Sequence, residues 1–116
     1  MARVLVVDDD AAGLELRGMV LKRAGHEVAL ANTVELARVQ FQAVQPEIVV
    51  LDLRLPEPEH GVGLIRDFRY AAPAVRIVVL SGYTPDLEGR PERAMADRIL
   101  DKPLRTEVLL RALALQ

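Results

Sequence analysis

The chain has no cysteine. That excludes disulfides, thiolate zinc sites and a cysteine nucleophile, and it suits a reducing compartment. Aromatic residues are scarce, with two Phe and two Tyr in 116 residues, so the core has to be built from Val, Leu, Ile and Ala. Long apolar runs are missing. The first run, Val4 to Val7, meets Asp8-Asp9-Asp10 at once, whereas a signal peptide needs about 7–15 apolar residues and a membrane span about 20. Nor is there an excess of positive charge: 15 Lys and Arg against 17 Asp and Glu leave a net charge of −2. This argues against nucleic-acid binding through a broad basic face. Together these absences predict a soluble, cytoplasmic protein that neither enters a membrane nor binds nucleic acid directly.

What is present reads as one globular domain over residues 1–116. The length suits a single domain of about 100–150 residues. A composition of 51% hydrophobic and 28% charged residues is that of a folded chain. Five apolar runs punctuate it: Val4 to Val7, Glu27 to Ala31, Ile48 to Leu51, Ile77 to Leu80, and Arg98-Ile99-Leu100. Unbroken β-branched runs suit strands covered on both faces, as in a parallel sheet.

The segments between the runs have helical spacing. Residues 11–24 place Leu16, Val20 and Ala24 at i, i+4 and i+8, with Lys22 and Arg23 in the last turn and Gly25 as a stop. Asp10 is placed as the N-cap of this helix. Asn32 and Glu35 form a capping box before Ala37, Phe41 and Val44, and Gln45-Pro46 ends that helix. Residues 62–70 carry Leu64, Ile65 and Phe68, and residues 105–115 carry Leu109, Ala112 and Leu113. Between 82 and 97, Gly82, Pro85, Gly89 and Pro91 interrupt any long helix, and a short one starting near Pro91 is expected. Alternating strand and helix predicts an α/β fold, a doubly wound parallel sheet with right-handed crossovers. Ligands of such sheets bind beyond the carboxyl ends of the strands, at the switch point.

The residues at those ends share a chemistry. The runs finish in Asp8-Asp9-Asp10, Asp52, Ser81 and Asp101-Lys102-Pro103. Carboxylates brought together repel one another, and a hard divalent cation relieves the repulsion. Oxygen-only ligands favour Mg²⁺ or Mn²⁺ over zinc. A carboxylate beside such an ion can act as a nucleophile toward phosphorus, with a Lys and a hydroxyl to bind the phosphoryl oxygens.

These elements resemble the receiver domain of two-component response regulators. The matching pieces are Val7-Asp8-Asp9, Leu51-Asp52-Leu53 with Leu55-Pro56, Leu80-Ser81-Gly82-Tyr83, and Lys102-Pro103. The resemblance covers essentially the whole chain. It implies a flavodoxin-like sheet of five strands in the order 2-1-3-4-5 with about five helices, the fourth short or remodelled. It implies Asp52 as phosphoacceptor, with Mg²⁺ or Mn²⁺ held by Asp8, Asp9, Asp52 and the backbone carbonyl of Arg54. Lys102 and Ser81 correspond to the switch residues, and the bond to Pro103 is expected to be cis. The implied partners are a sensor histidine kinase or phosphotransfer protein, and an output domain or downstream protein; a homodimer is compatible. The chain either stands alone or belongs to a longer regulator. It would catalyse only its own phosphorylation and dephosphorylation.

The sequence departs from the family pattern in four places. The family's Gly eight residues after the phosphoacceptor is His60 here, with Gly61 following, so residues 57–60 read as a loop with one extra residue. The aromatic three residues before the lysine is Ile99. The usual Gly-Ala pair before the last strand is Met95-Ala96. Arg54 and Tyr83 occupy the positions that tune dephosphorylation in the family, and their bulk predicts slow loss of the phosphoryl group. The alternative reading is a phosphorylation-independent interaction module on the same fold. An aspartate-nucleophile phosphatase is opposed by Asp52-Leu53-Arg54, which lacks a second acid.

Overall fold

A computed structural model describes residues 2–53, 58–82 and 84–114. The strands are β1 (Arg3–Val7), β2 (Glu27–Ala31), β3 (Ile48–Asp52), β4 (Arg76–Ser81) and β5 (Arg98–Asp101). They form one parallel sheet in the order β2-β1-β3-β4-β5. The expected α/β architecture and strand order are both found. Among the described residues the α-helices are α1 (Ala11–Arg23), α2 (Val34–Val44), α3 (Pro58–Ala71) and α4 (Thr106–Ala114). Two 3₁₀ turns, Thr84–Leu87 and Pro91–Met95, stand where the remodelled fourth helix was expected.

The unbroken apolar runs serve two cores, because successive strand residues face opposite sides. On one side, Leu5, Val7, Val49, Leu51, Ile77 and Val79 pack under α2 and α3. On the other, Val4, Val6, Ile48, Val50, Val78 and Leu80 pack under α1 and α4. Aliphatic residues make up most of both cores. Both phenylalanines of the chain, Phe41 and Phe68, stack with centroids 4.1 Å apart and join α2 to α3.

Helix ends follow local chemistry. Gly25 takes φ 96°, and the N–H groups of Gly25 and His26 donate to the carbonyls of Lys22 and Leu21, closing α1 as a Schellman motif. Several expectations are corrected. The N-cap of α2 is Thr33, not Asn32: its extended backbone lets Oγ1 accept from Leu36 N–H at 3.0 Å. Asp10 does hold the N-cap position of α1, but its side chain makes no capping bond. The buried line of α1 is Leu14, Gly18 and Leu21, not Leu16, Val20 and Ala24, and Leu16 is 61% exposed. Gly18 turns that face inward: a Cβ there would stand 3.0 Å from the Leu30 side chain. Finally, α3 begins at Pro58, so His60 lies in its first turn and not in a loop.

Candidate functional site

The sheet places its polar strand ends at one edge. β1 lies between β2 and β3, and crossovers leave it on opposite sides, so the switch point falls at the ends of β1 and β3. Asp8 directly follows β1 and Asp52 closes β3. Each of Asp8, Asp9 and Asp52 offers a carboxylate oxygen, and these oxygens lie within 4.8 Å of one another. Asp8 and Asp52 are buried, at 1% and 6% exposed, and Asp9 is exposed to solvent. Three oxygen donors, one of them open to water, fit a hard divalent cation that keeps part of its hydration shell.

Each buried carboxylate has its own partners. The backbone anchors Asp8: its N–H donates to the Ala31 carbonyl at 3.1 Å, and its Oδ1 accepts from Asp10 N–H at 2.9 Å. Its Oδ2 is held by the Arg17 guanidinium in a hydrogen-bonded ion pair. Asp52 Oδ2 accepts from Lys102 Nζ at 2.8 Å. Burial pushes the Asp52 carboxyl above its ordinary range. The Lys102 ammonium pulls it back, and the neighbouring Asp8 charge pushes it up again.

Lys102 reaches the cluster from beyond β5, and its bond to Pro103 is cis, as expected. The Lys102 N–H also donates to the Ser81 carbonyl at 2.9 Å, tying the ends of β4 and β5 together. Ser81 is buried at the end of β4, one register step past the Asp52–Leu80 pair. Asp8, Asp9, Asp52, Ser81 and Lys102 therefore meet at one edge, as anticipated. Arg54, Leu55-Pro56 and Tyr83 lie outside the described residues. Ile99 is partly buried and packs with Met95 and Ala96 against the α2–α3 core, an aliphatic wall where an aromatic was noted as missing.

Two residues, Arg17 and Arg69, escaped the sequence reading, and Gly61 is named there without a packing role. Arg17 carries a charge partner for Asp8 from two turns inside α1; the available signal was a glycine, Gly13, one turn before a long cation. Gly61 presses α3 onto the sheet, since a Cβ there would lie 1.9 Å from the Leu53 carbonyl oxygen. The glycine noted as displaced by one residue thus has a packing role beside Asp52. Arg69 fastens α3 to the approach of β5 through bonds to the carbonyls of Met95, Pro73 and Val75 and to Asp97. Its signal is absent at the sequence level, because its acceptors are mostly backbone.

Comparison with known proteins bears on this arrangement. Residues 4–114 match the response regulator receiver domain family. The photosynthetic apparatus regulatory protein RegA of Rhodobacter capsulatus is 36% identical over 80 residues, which are 69% of this chain and 43% of RegA. The DNA-binding transcriptional activator DevR/DosR of Mycobacterium tuberculosis is 36% identical over 104 residues, covering 86% of this chain and 44% of that protein. The response regulator protein TrrA of Thermotoga maritima, solved in complex with Mg²⁺-BeF, superposes with a TM-score of 0.85 at 25% identity, over 97% of this chain and 96% of that one. The chain spans less than half the length of these two curated relatives. Among the described residues, no helix is long and apolar enough to cross a membrane.

Proposed function

The chain belongs to the response regulator receiver domain family of two-component signalling, and from that premise we propose that it is a phosphoryl-accepting switch with Asp52 as the acceptor. The observation that carries this reading is the Lys102 ammonium 2.8 Å from the Asp52 carboxylate, which is buried beside Asp8 and Asp9. The donor is the phosphohistidine of a histidine kinase or phosphotransfer protein. An Asp52 oxygen forms the new bond to phosphorus, the P–N bond breaks, and the imidazole leaves. Hydrolysis later forms a bond from water to phosphorus and returns the Asp52 carboxylate and inorganic phosphate.

The protein's own contribution is positioning and charge. Asp8, Asp9, Asp52 and the Arg54 carbonyl would hold Mg²⁺ or Mn²⁺, which when bound neutralises charge on the phosphoryl oxygens. The Mg²⁺-BeF complex of TrrA supports this choice of ion. Lys102 moves from the Asp52 carboxylate to the phosphoryl oxygens, and the Ser81 hydroxyl donates to one of them. Phosphorylation adds roughly −1.5 to −2 charge units to a buried edge of the sheet, which biases the surface around it. The output is a further domain or a separate protein; the DNA-binding relative DevR/DosR supports the former. A single domain over residues 1–116 and a cytoplasmic location belong to the same reading, as does slow hydrolysis through the bulk of Arg54 and Tyr83.

The phosphorylation-independent alternative is disfavoured by cost. Burying Asp52 at the sheet edge, with the Asp8 charge beside it, raises its carboxyl, and a mere interaction module gains nothing from it. The test is intact mass after incubation with acetyl phosphate and Mg²⁺. One phosphoryl group should be gained, and Asp52→Asn should gain none. A folded wild type that gains nothing refutes the acceptor role. Loss of the group within seconds refutes slow hydrolysis.

A further inference from the structure

We propose that Arg17 is a positioning residue of the carboxylate cluster: it holds Asp8, competes with a divalent cation for that carboxylate, and so sets the metal affinity of the site. The inference rests on reading Asp8, Asp9 and Asp52 as metal ligands. Both oxygens of Asp8 already have donors, Asp10 N–H on Oδ1 and Arg17 on Oδ2. Each oxygen keeps a second lone pair, so a cation can approach beside these donors, but at Oδ2 it meets the positive charge of the guanidinium and competes with it for Asp8. The Asp10 N–H is an uncharged backbone donor just ahead of α1 and does not repel a cation. The guanidinium sits on a long side chain with several rotatable bonds, so Arg17 is the donor that moves.

The reach of Arg17 is built into α1. Side chains on a helix tilt toward its N-terminus, and residues four apart share a face. Arg17 therefore lies back over Gly13 to meet Asp8. A Cβ on Gly13 would stand 3.2 Å from Arg17 Nη1, 3.5 Å from Asp8 Oδ2 and 3.0 Å from Asp10 Oδ2. Glycine thus leaves the guanidinium its path. The pair is well shielded, with side chains 18% and 2% exposed for Arg17 and Asp8, and shielded pairs are little weakened by salt. Each buried carboxylate consequently carries a cation of its own, Arg17 on Asp8 and Lys102 on Asp52. Metal loading is then an exchange of cations at Asp8.

Calorimetric titration of Mg²⁺ into the chain, at fixed ionic strength, tests this with wild type, Arg17→Met and Arg17→Lys. Hydrogen bonds to charged groups are strong enough for their loss to shift affinity by about tenfold or more. Arg17→Met should bind Mg²⁺ about tenfold tighter than wild type, melt lower in chelator, and show a larger rise in Tm when Mg²⁺ is added. Arg17→Lys should return toward wild type. Simple structural damage would weaken binding, so the sign separates the two explanations. Unchanged or weaker affinity in a folded Arg17→Met protein, with wild type binding, overturns this proposal and leaves the metal reading standing. No Mg²⁺ binding by either protein overturns the metal reading and this one with it. If Arg17→Met does not fold, Arg17→Gln, which keeps a donor without the charge, carries the same expectation.

Discussion

Replacing Gly61 by Ala adds one methyl group where α3 meets the strand end that carries Asp52. The new Cβ would lie 1.9 Å from the Leu53 carbonyl oxygen, 2.6 Å from its carbon and 2.8 Å from Leu53 Cα. All three atoms are backbone, so no side chain can swing aside. Reaching ordinary contact at 3.4 Å requires the helix to retreat by about 1.5 Å. Leu64, Ile65 and Phe68 ride on the same helix and are at most 2% exposed. A gap of even 0.5–1 Å forfeits a quarter to a half of a dispersion contact. Overpacking of a tight core costs about 1–3 kcal/mol, and a backbone clash with three buried side chains behind it belongs at the top, near 3 kcal/mol. For a domain of this size that is a fall in Tm of roughly 10 °C or more. Gly63→Ala is the internal control: among the described residues its Cβ would meet only Arg66 Nη2, at 3.9 Å. Alanine in a helix interior is favoured over glycine by about 0.5–1 kcal/mol, so this variant should gain stability. Urea and thermal unfolding of both variants read the difference. A Gly61→Ala loss below about 1 kcal/mol, or a comparable loss in both variants, would refute the reasoning.

Other outcomes follow from the same site and its supports. The Asp52 carboxyl is raised by burial, so the folded state holds that proton more tightly than the unfolded chain. This group therefore favours folding increasingly as pH falls through its raised value, and disfavours it above; in chelator, the difference in urea midpoint between wild type and Asp52→Asn should shift toward the variant as pH rises. Lys102→Ala removes the 2.8 Å bond to Asp52 and a charge for the phosphoryl oxygens; at about 1.5 kcal/mol or more for such a bond, acetyl phosphate labelling should slow at least about tenfold by intact mass. Arg69→Ala releases the carbonyls of Met95, Pro73 and Val75 together with Asp97; a loss of about 2 kcal/mol and faster amide exchange over 91–95 are expected, and unchanged exchange there would show that Arg69 is not the fastening.

The amino-acid sequence alone determined the sheet and the polar edge of this protein. The central strands β1, β3 and β4 carry unbroken apolar runs, which a sheet covered on both faces can bury, and parallel strands deliver their last residues to the same edge. Asp8, Asp9, Asp52, Ser81 and Lys102 were legible for that reason: each is the polar residue that ends or follows a run. The three-dimensional packing decided what helical spacing leaves open. Leu16-Val20-Ala24 and Leu14-Gly18-Leu21 both satisfy the helical repeat, and the choice between them depends on Gly18 admitting Leu30. The fit of Gly61 against Leu53 and the clasp of Arg69 on Met95 depend on backbone atoms of neighbouring elements. Arg17 belongs to the same class. Its charge is visible in the sequence, but only the rotation of α1 and the gap over Gly13 bring that charge to Asp8.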